Sequence, residues 1–269
     1  MQIAFFKALW GMDDLAPADR IHRISEAGYQ GFESGNLSGA DLGSLARDHG
    51  LRMIGQAYSV EIDDLRAQIE DCRRCGAESV TVHAGKDWWP YGRGLDFLGR
   101  AIEVGRELGL PLHFETHRGR LLFEPQSAAR YLRELPDLTI CADFSHWTCV
   151  CESLLEDQEE ALAVAISRTS HLHARVGFEE GPQVPDFRLP RWTRQTDRFL
   201  EIWDRVCESA ASASRVELTV TPEFGPPDYQ WTDLRTDEPV NDLFELCGAM
   251  RNLLDSRWRR PVGRSAEPV

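Results

Sequence analysis

The sequence predicts an α/β fold: a single domain built as a (β/α)8 barrel. Three observations predict it. Eight strand-like apolar runs alternate with eight helix-like periodic segments, the order of βα units around a parallel sheet. Polar residues that close the runs (Glu33, Gln56, His83, Glu115, Asp143 and His173) recur at roughly 23–32 residues, a normal βα unit length. On the later runs, polar side chains share one parity and apolar side chains the other, so a closed sheet would face the polar set inward.

The elements follow in order. Strands are expected at IAFF near residue 4, GFES near 32, LRMIGQAY near 54, SVTVHAG near 81, LHFET near 114, LTICADF near 141, HLHAR near 172 and VELTVTPE near 219. Between them lie PADRIHRISEAG, ADLGSLARDHG, EIDDLRAQIEDCRRCG, GLDFLGRAIEVGRELG, EPQSAARYLREL, EDQEEALAVAIS and TDRFLEIWDRVCESA, and DLFELCGAMRNLLDSRW closes the chain. Leu95, Leu98, Ile102 and Leu108 illustrate the helical period. Gly28, Gly50, Gly76 and Gly109 stand where left-handed caps are expected. The barrel is expected over residues 1–258, with 259–269 as a frayed tail.

A doubly wound open sheet is the rival, but it would call for a Gly-rich turn after the first strand, and Lys7 to Asp14 offers only Gly11. The step from His173 to Glu223 is longer than the others. It contains VGFEEGPQVPDFRLPRW, read as a functional lid because of its length and its aromatic and arginine content.

Composition narrows the class. Hydrophobic residues make up 42% of 269, enough for a sizeable core, and no apolar run is long enough to span a membrane. MQIAFFKALWGMDD lacks the charged start and cleavage site of a signal peptide and reads as a first strand. A net charge of −14 argues against a nucleic-acid partner and for a small-molecule substrate. Seven cysteines without a regular framework suit a reducing cytoplasm. Cys72 and Cys75 form a CxxC on a helix with no second pair to complete a zinc site, and read as packing. Cys149 and Cys151 read as loop or packing residues.

The chemistry concentrates at four strand ends: Glu115 in LHFETHRG, Asp143 in TICADFSHW, His173 in HLHARVG and Glu223 in ELTVTPEFG. Carboxylates are depleted in strands, and burying one unpaired is costly. Three carboxylates and an imidazole at strand ends therefore call for a compensating cation, and a divalent metal serves. Their parity agrees, because His113, Glu115 and His117 share one side of their strand, as do His171, His173 and Arg175, and Glu217, Thr219, Thr221 and Glu223. The alternative is a buried hydrogen-bond network without metal. Glu33 reads equally as a sugar-hydroxyl contact or a structural ion pair. His83 ends its strand ahead of Lys86, Trp88, Trp89 and Tyr91. Those aromatics, with Trp147 and Trp10, either cover the face of a sugar ring or cap the barrel mouth.

The set E…DxxH…HxH…E on strands five to eight resembles the xylose isomerase-like TIM barrel superfamily, in particular its sugar phosphate isomerase/epimerase branch that includes D-tagatose 3-epimerase-like proteins. The resemblance spans nearly the whole chain. It implies one divalent metal (Mn²⁺, Mg²⁺ or Co²⁺, with Zn²⁺ compatible) held by Glu115, Asp143, His173 and Glu223. It also implies that Glu115 and Glu223 transfer protons on opposite faces of a bound carbohydrate, that His146 contacts a substrate oxygen, and that Arg175 binds or polarises another. The activity implied is a sugar isomerase or epimerase working through an enediolate, in a chain that forms a dimer or tetramer. A lyase or dehydratase acting on a polyol or keto-sugar uses the same groups. An endonuclease IV-like metallohydrolase shares the scaffold, but Gln56 and Arg188 stand where that branch would want histidines. The arginines at 188, 191 and 194 are read as serving a phosphate or a neighbouring subunit.

Overall fold

The computed structural model describes residues 1–35 and 42–259. The strands are β1 (Gln2–Ala8), β2 (Gly31–Ser34), β3 (Arg52–Ser59), β4 (Ser79–Ala84), β5 (Leu112–Glu115), β6 (Ile140–Ala142), β7 (Thr169–Ala174) and β8 (Glu217–Pro222). They form a closed parallel barrel in chain order, sealed by β1 on β8 with Gln2 opposite Glu217. The helices are α1 (Pro17–Glu26), α2 (Leu42–Asp48), α3 (Ile62–Cys75), α4 (Tyr91–Leu108), α5 (Pro125–Glu134), α6 (Phe144–Cys151), α7 (Glu159–Arg168), α8 (Thr193–Ser212) and α9 (Leu243–Trp258). The expected start of α2, and the tail beyond residue 259, fall outside the described residues.

The predicted barrel is therefore the observed one, with one addition. FSHWTCVC, expected to continue from strand into loop, winds into α6, so β6 stops at Ala142 and Asp143 caps the helix N-terminus by accepting the Ser145 amide. Asp143 competes for the backbone in the way that makes aspartate a good N-cap. Cys149 and Cys151 accordingly lie on this helix instead of in a loop.

Helix packing follows the sequence period. Ile21 and Ile24 of α1, Leu65, Ile69 and Cys72 of α3, and Phe97, Leu98 and Val104 of α4 are buried against the sheet. Cys72 packs on Gly55 as an ordinary core residue. The four expected helix-ending glycines all have positive φ, from 64° to 89°.

The barrel interior is layered. At its N-terminal end Ala4, Phe6 and Ile54 form a small apolar plug. Gly31 makes room for it: a Cβ there would lie 2.4 Å from Phe6 Cε1 and 2.5 Å from the Arg52 carbonyl oxygen. Below the plug, Arg52 bridges Glu78 and Glu217 at 2.7 and 2.5 Å, its guanidinium 5.3 Å from the Phe6 ring centroid. Towards the C-terminal end the interior turns polar, and the chemistry begins there.

The long connection from β7 to α8 is packed in place over the barrel mouth. Val176, Val184 and Phe187 are buried, and Gln183 exchanges two hydrogen bonds with the Gly225 backbone at 2.7 and 3.1 Å. This loop thereby fixes the segment that follows Glu223. The arginines at its end are engaged within the chain: Arg188 pairs with Asp186 and Glu245, and Arg194 with Glu156 and Glu179.

Candidate metal centre

Glu115 is the last residue of β5, Asp143 follows β6, His173 is the fifth residue of β7, and Glu223 follows β8. Parallel strands bring all four to the C-terminal mouth, and a donor atom from each lies within 4.8 Å of the others. All four are buried. His173 organises the set. Its Nδ1 lies 3.0 Å from Glu115 Oε1 and 3.1 Å from Glu223 Oε2, while its Nε2 faces down the barrel to Glu33 Oε2 at 2.9 Å. A ring bonded to a carboxylate through one nitrogen has its orientation and tautomer set for metal ligation through the other.

Glu33 takes a place different from a sugar contact. One oxygen accepts the Thr81 hydroxyl at 2.5 Å; the other receives Thr221 at 3.0 Å, His173 at 2.9 Å and His171 at 3.3 Å. The carboxylate is saturated by the protein one layer beneath the centre, as the structural alternative expected. His171 is anchored in the same layer by the Thr219 hydroxyl at 2.8 Å.

Asp143 is held from two sides. Ser145 donates its amide at 3.0 Å and its hydroxyl at 2.5 Å to Oδ1, and Arg175 Nη2 pairs with Oδ2. Arg175 also donates through Nε to Ser145 Oγ at 3.1 Å and through Nη2 to His146 Nε2 at 2.9 Å. That bond leaves the His146 proton on Nδ1. Among the described residues, His146 Nδ1, Arg175 Nη1 and Glu115 Oε2 are buried without a hydrogen-bond partner. A buried polar atom without a partner is costly, and these atoms gather at one mouth.

His83 stacks on Tyr58 with ring centroids 4.1 Å apart. Its Nε2 approaches Glu115 Oε2 at 2.8 Å without the alignment of a hydrogen bond. The His117 ring is 5.0 Å from that of His83 and 3.9 Å from that of His146.

Electrostatics follow from this packing. Burial opposes the charge on Glu115, but His83 and His173 outweigh it and hold the carboxyl well below its usual range. Burial likewise opposes Glu223, and His173 with Arg175 lowers it. Asp143 is pushed up to about 6 by burial, against Arg175 and with help from the charges of Glu223 and Glu115. His173 is held well above the imidazole range: Cys141, Glu223 and Glu33 overcome its burial. His117 is lowered to about 4 and His146 further, both chiefly by burial, so these rings are neutral at neutral pH.

The aromatic side chains correct the sequence reading. Trp147 does not face the mouth: it is fully buried in the hydrophobic core, beside Phe144, with its indole N–H donated to the Leu122 carbonyl at 2.9 Å. The helical turn begun by Asp143 swings it there. Trp89 is buried against Phe97, and Tyr91 stacks on Tyr131. The rings around the centre are Tyr58, which shares the interior parity of Gln56, and Tyr229 from the loop before α9. Tyr229 lies edge-on to His146 at 6.3 Å and to Trp10 at 5.5 Å. Nothing in the sequence near Tyr229 signals this role. His117 was visible through its parity with Glu115, without an assigned part.

A family model, xylose isomerase-like TIM barrel, matches residues 21–200. The chain belongs to that family. No curated protein matches the sequence. Solved structures share the fold. A sugar phosphate isomerase/epimerase from Parabacteroides distasonis superposes with a TM-score of 0.62 at 12% identity, covering 98% of each chain. A D-allulose 3-epimerase from Methylomonas sp., in complex with D-allulose, gives 0.61 at 13% identity, covering 95% of this chain and 97% of that one. Endonuclease IV from Thermus thermophilus gives 0.57 at 15% identity, with 95% and 100% covered. Among the described residues, no helix is long and apolar enough to cross a membrane.

Proposed function

We propose that this member of the family is a divalent-metal-dependent carbohydrate isomerase or epimerase that moves a proton between adjacent carbons through an enediolate. One observation carries the reading: Glu115, Asp143, His173 and Glu223 converge in one buried site, with a donor atom of each within 4.8 Å of the others. Three carboxylates and one imidazole suit Mn²⁺, Mg²⁺ or Co²⁺, with Zn²⁺ also compatible. Bound there, the cation supplies Lewis-acid stabilisation for negative charge developing on substrate oxygens.

The protein groups do the rest. Glu115 and Glu223 come from the ends of different strands, β5 and β8, so the two carboxylates can approach a substrate at the barrel mouth from different sides. Both have lowered pKa values and are ionised at neutral pH, which lets either act as base. Arg175 Nη1 and His146 Nδ1–H are free donors for substrate oxygens. Tyr58, stacked on His83, and Tyr229, beside Arg175, border the site.

The test is solvent exchange. Mn²⁺-loaded protein in D₂O should place deuterium on carbon in at least one ketose of a broad panel, and chelation or Glu115→Gln should abolish it. An inert result across the panel overturns the reading. A second reading, elimination of a hydroxyl from a polyol or keto-sugar, is favoured by His117. This neutral imidazole donates Nδ1–H to the Arg118 carbonyl, so its Nε2, beside His83 and His146, is a base that can take the substrate proton whose loss precedes departure of the hydroxyl. Product dehydration in the same assay distinguishes it.

A further inference from the structure

The geometry points to a specificity element: Arg118, with the free Nη1 of Arg175, reads an anionic oxygen group on the substrate beside the ring of Tyr229. The inference rests on the carbohydrate reading above and adds that the substrate carries a carboxylate or a phosphate. Arg118 lies three residues beyond Glu115 on the loop from β5 to α5, and it is half-buried. No carboxylate lies within ion-pair reach of it among the described residues. Its contacts are the Tyr229 ring, 5.1 Å from Cζ to centroid, and a weak one to Cys149 Sγ at 3.9 Å. Acidic residues outnumber basic ones 44 to 30 in this chain, and guanidiniums elsewhere, such as Arg52, Arg188 and Arg198, have found carboxylates. A partly desolvated cation left without one is a vacancy for an anion.

Its position says which anion. Arg175 Cζ lies 4.8 Å from the centroid of the same Tyr229 ring. Its Nε and Nη2 are committed to Ser145, Asp143 and His146, but Nη1 is buried and unpartnered. Two guanidinium edges on one aromatic ring, next to the proposed metal ligands, suit an oxyanion on the molecule that reacts there. Guanidinium forks match carboxylate and phosphate geometry, and a tyrosine face steadies the fork. Arg120, 6.0 Å from the Tyr58 ring and, among the described residues, also without a carboxylate, adds positive potential to the same rim.

The experiment compares three hexuloses of one skeleton: D-fructose, D-fructuronate and D-fructose 6-phosphate. Phenylglyoxal modification of Arg118, followed by peptide mass spectrometry, is measured with each and with inorganic phosphate alone. We expect at least one anion class to slow modification tenfold or more while D-fructose does not; the class that protects at lower concentration separates carboxylate from phosphate. In Mn²⁺-loaded protein, the affinity ratio of the better anion to D-fructose should exceed ten and fall to about one in Arg118→Gln, with Arg118→Lys between. Equal modification with every anion, equal shielding by D-fructose, or an unchanged ratio in Arg118→Gln overturns the assignment. Failure to retain Mn²⁺ while anions still shield Arg118 would instead remove the metal reading and leave this site standing.

Discussion

Metal binding should expel a proton from His173, and the pH dependence of affinity follows from its surroundings. The Nδ1 that faces the centre touches Glu115 and Glu223, Nε2 touches Glu33, and Cys141 and His171 flank the ring. This environment raises the His173 pKa well above the ordinary imidazole value, so the metal-free ring is protonated at pH 7. A ligating nitrogen must be deprotonated. Each unit of pH below the folded pKa of His173 therefore costs about tenfold in apparent affinity, or about 1.4 kcal/mol. Glu115 and Glu223 have lowered pKa values and release nothing near neutrality. Asp143, raised to about 6, adds a second proton once the pH falls below that value, and the slope then steepens towards a hundredfold per unit. Calorimetric Mn²⁺ titrations in buffers of different ionisation enthalpy count the protons: close to one released at pH 7–8, approaching two below pH 6. Affinity that is flat between pH 6 and 8, with no proton released, would refute the protonated state of His173 in the metal-free protein.

Three other outcomes follow. Glu115→Gln and Glu223→Gln should each lower carbon-proton exchange by about 10²–10⁴-fold, measured by deuterium incorporation, while the purified variants keep the far-ultraviolet circular dichroism of the barrel. Phe6→Ala removes the ring that fills the interior beneath the centre, and it should cost about 3–5 kcal/mol in denaturant unfolding. Trp147→Phe leaves the Leu122 carbonyl without its donor and should cost about 1–3 kcal/mol; a change confined to substrate affinity, with unfolding unaltered, would contradict its core placement.

The barrel was legible because alternation and unit length are local signals. Strand ends at Glu33, His83, Glu115 and His173 fall where the spacing placed them, and the four ligand candidates share a mouth because parallel strands end on one face. The misreadings come from side-chain contacts that strand alternation does not encode. Asp143 looks like the end of a strand in TICADFSHW, yet its side chain caps a helix, and the extra turn carries Trp147 into the core. Glu33 reads as a mouth residue by position alone. Its saturation by Thr81, His171, His173 and Thr221 depends on three other strands at matched height. Tyr229 and Arg118 belong to loops, where no periodicity exists to place a side chain, and only the closed fold brings them to one site.

The charge within the centre ties the proposed metal to the anion receptor. Glu33, Glu115, Asp143 and Glu223 face one imidazolium, His173, and one guanidinium, Arg175, leaving two formal negative charges when no metal is bound. Replacing the His173 proton with a divalent ion brings the net to one negative charge, still repulsive to an anionic substrate in a chain that carries −14 overall. Such a substrate would be admitted only if positive charge stood at the entrance without being spent on the ligands. Arg118 and Arg120 meet that condition, because among the described residues neither pairs with a carboxylate, and both lie against aromatic rings that border the site. A neutral sugar would need no such arrangement, so weaker binding of the acid or phosphate ester at raised salt, with neutral hexulose binding unmoved, is the signature that separates the two substrate classes.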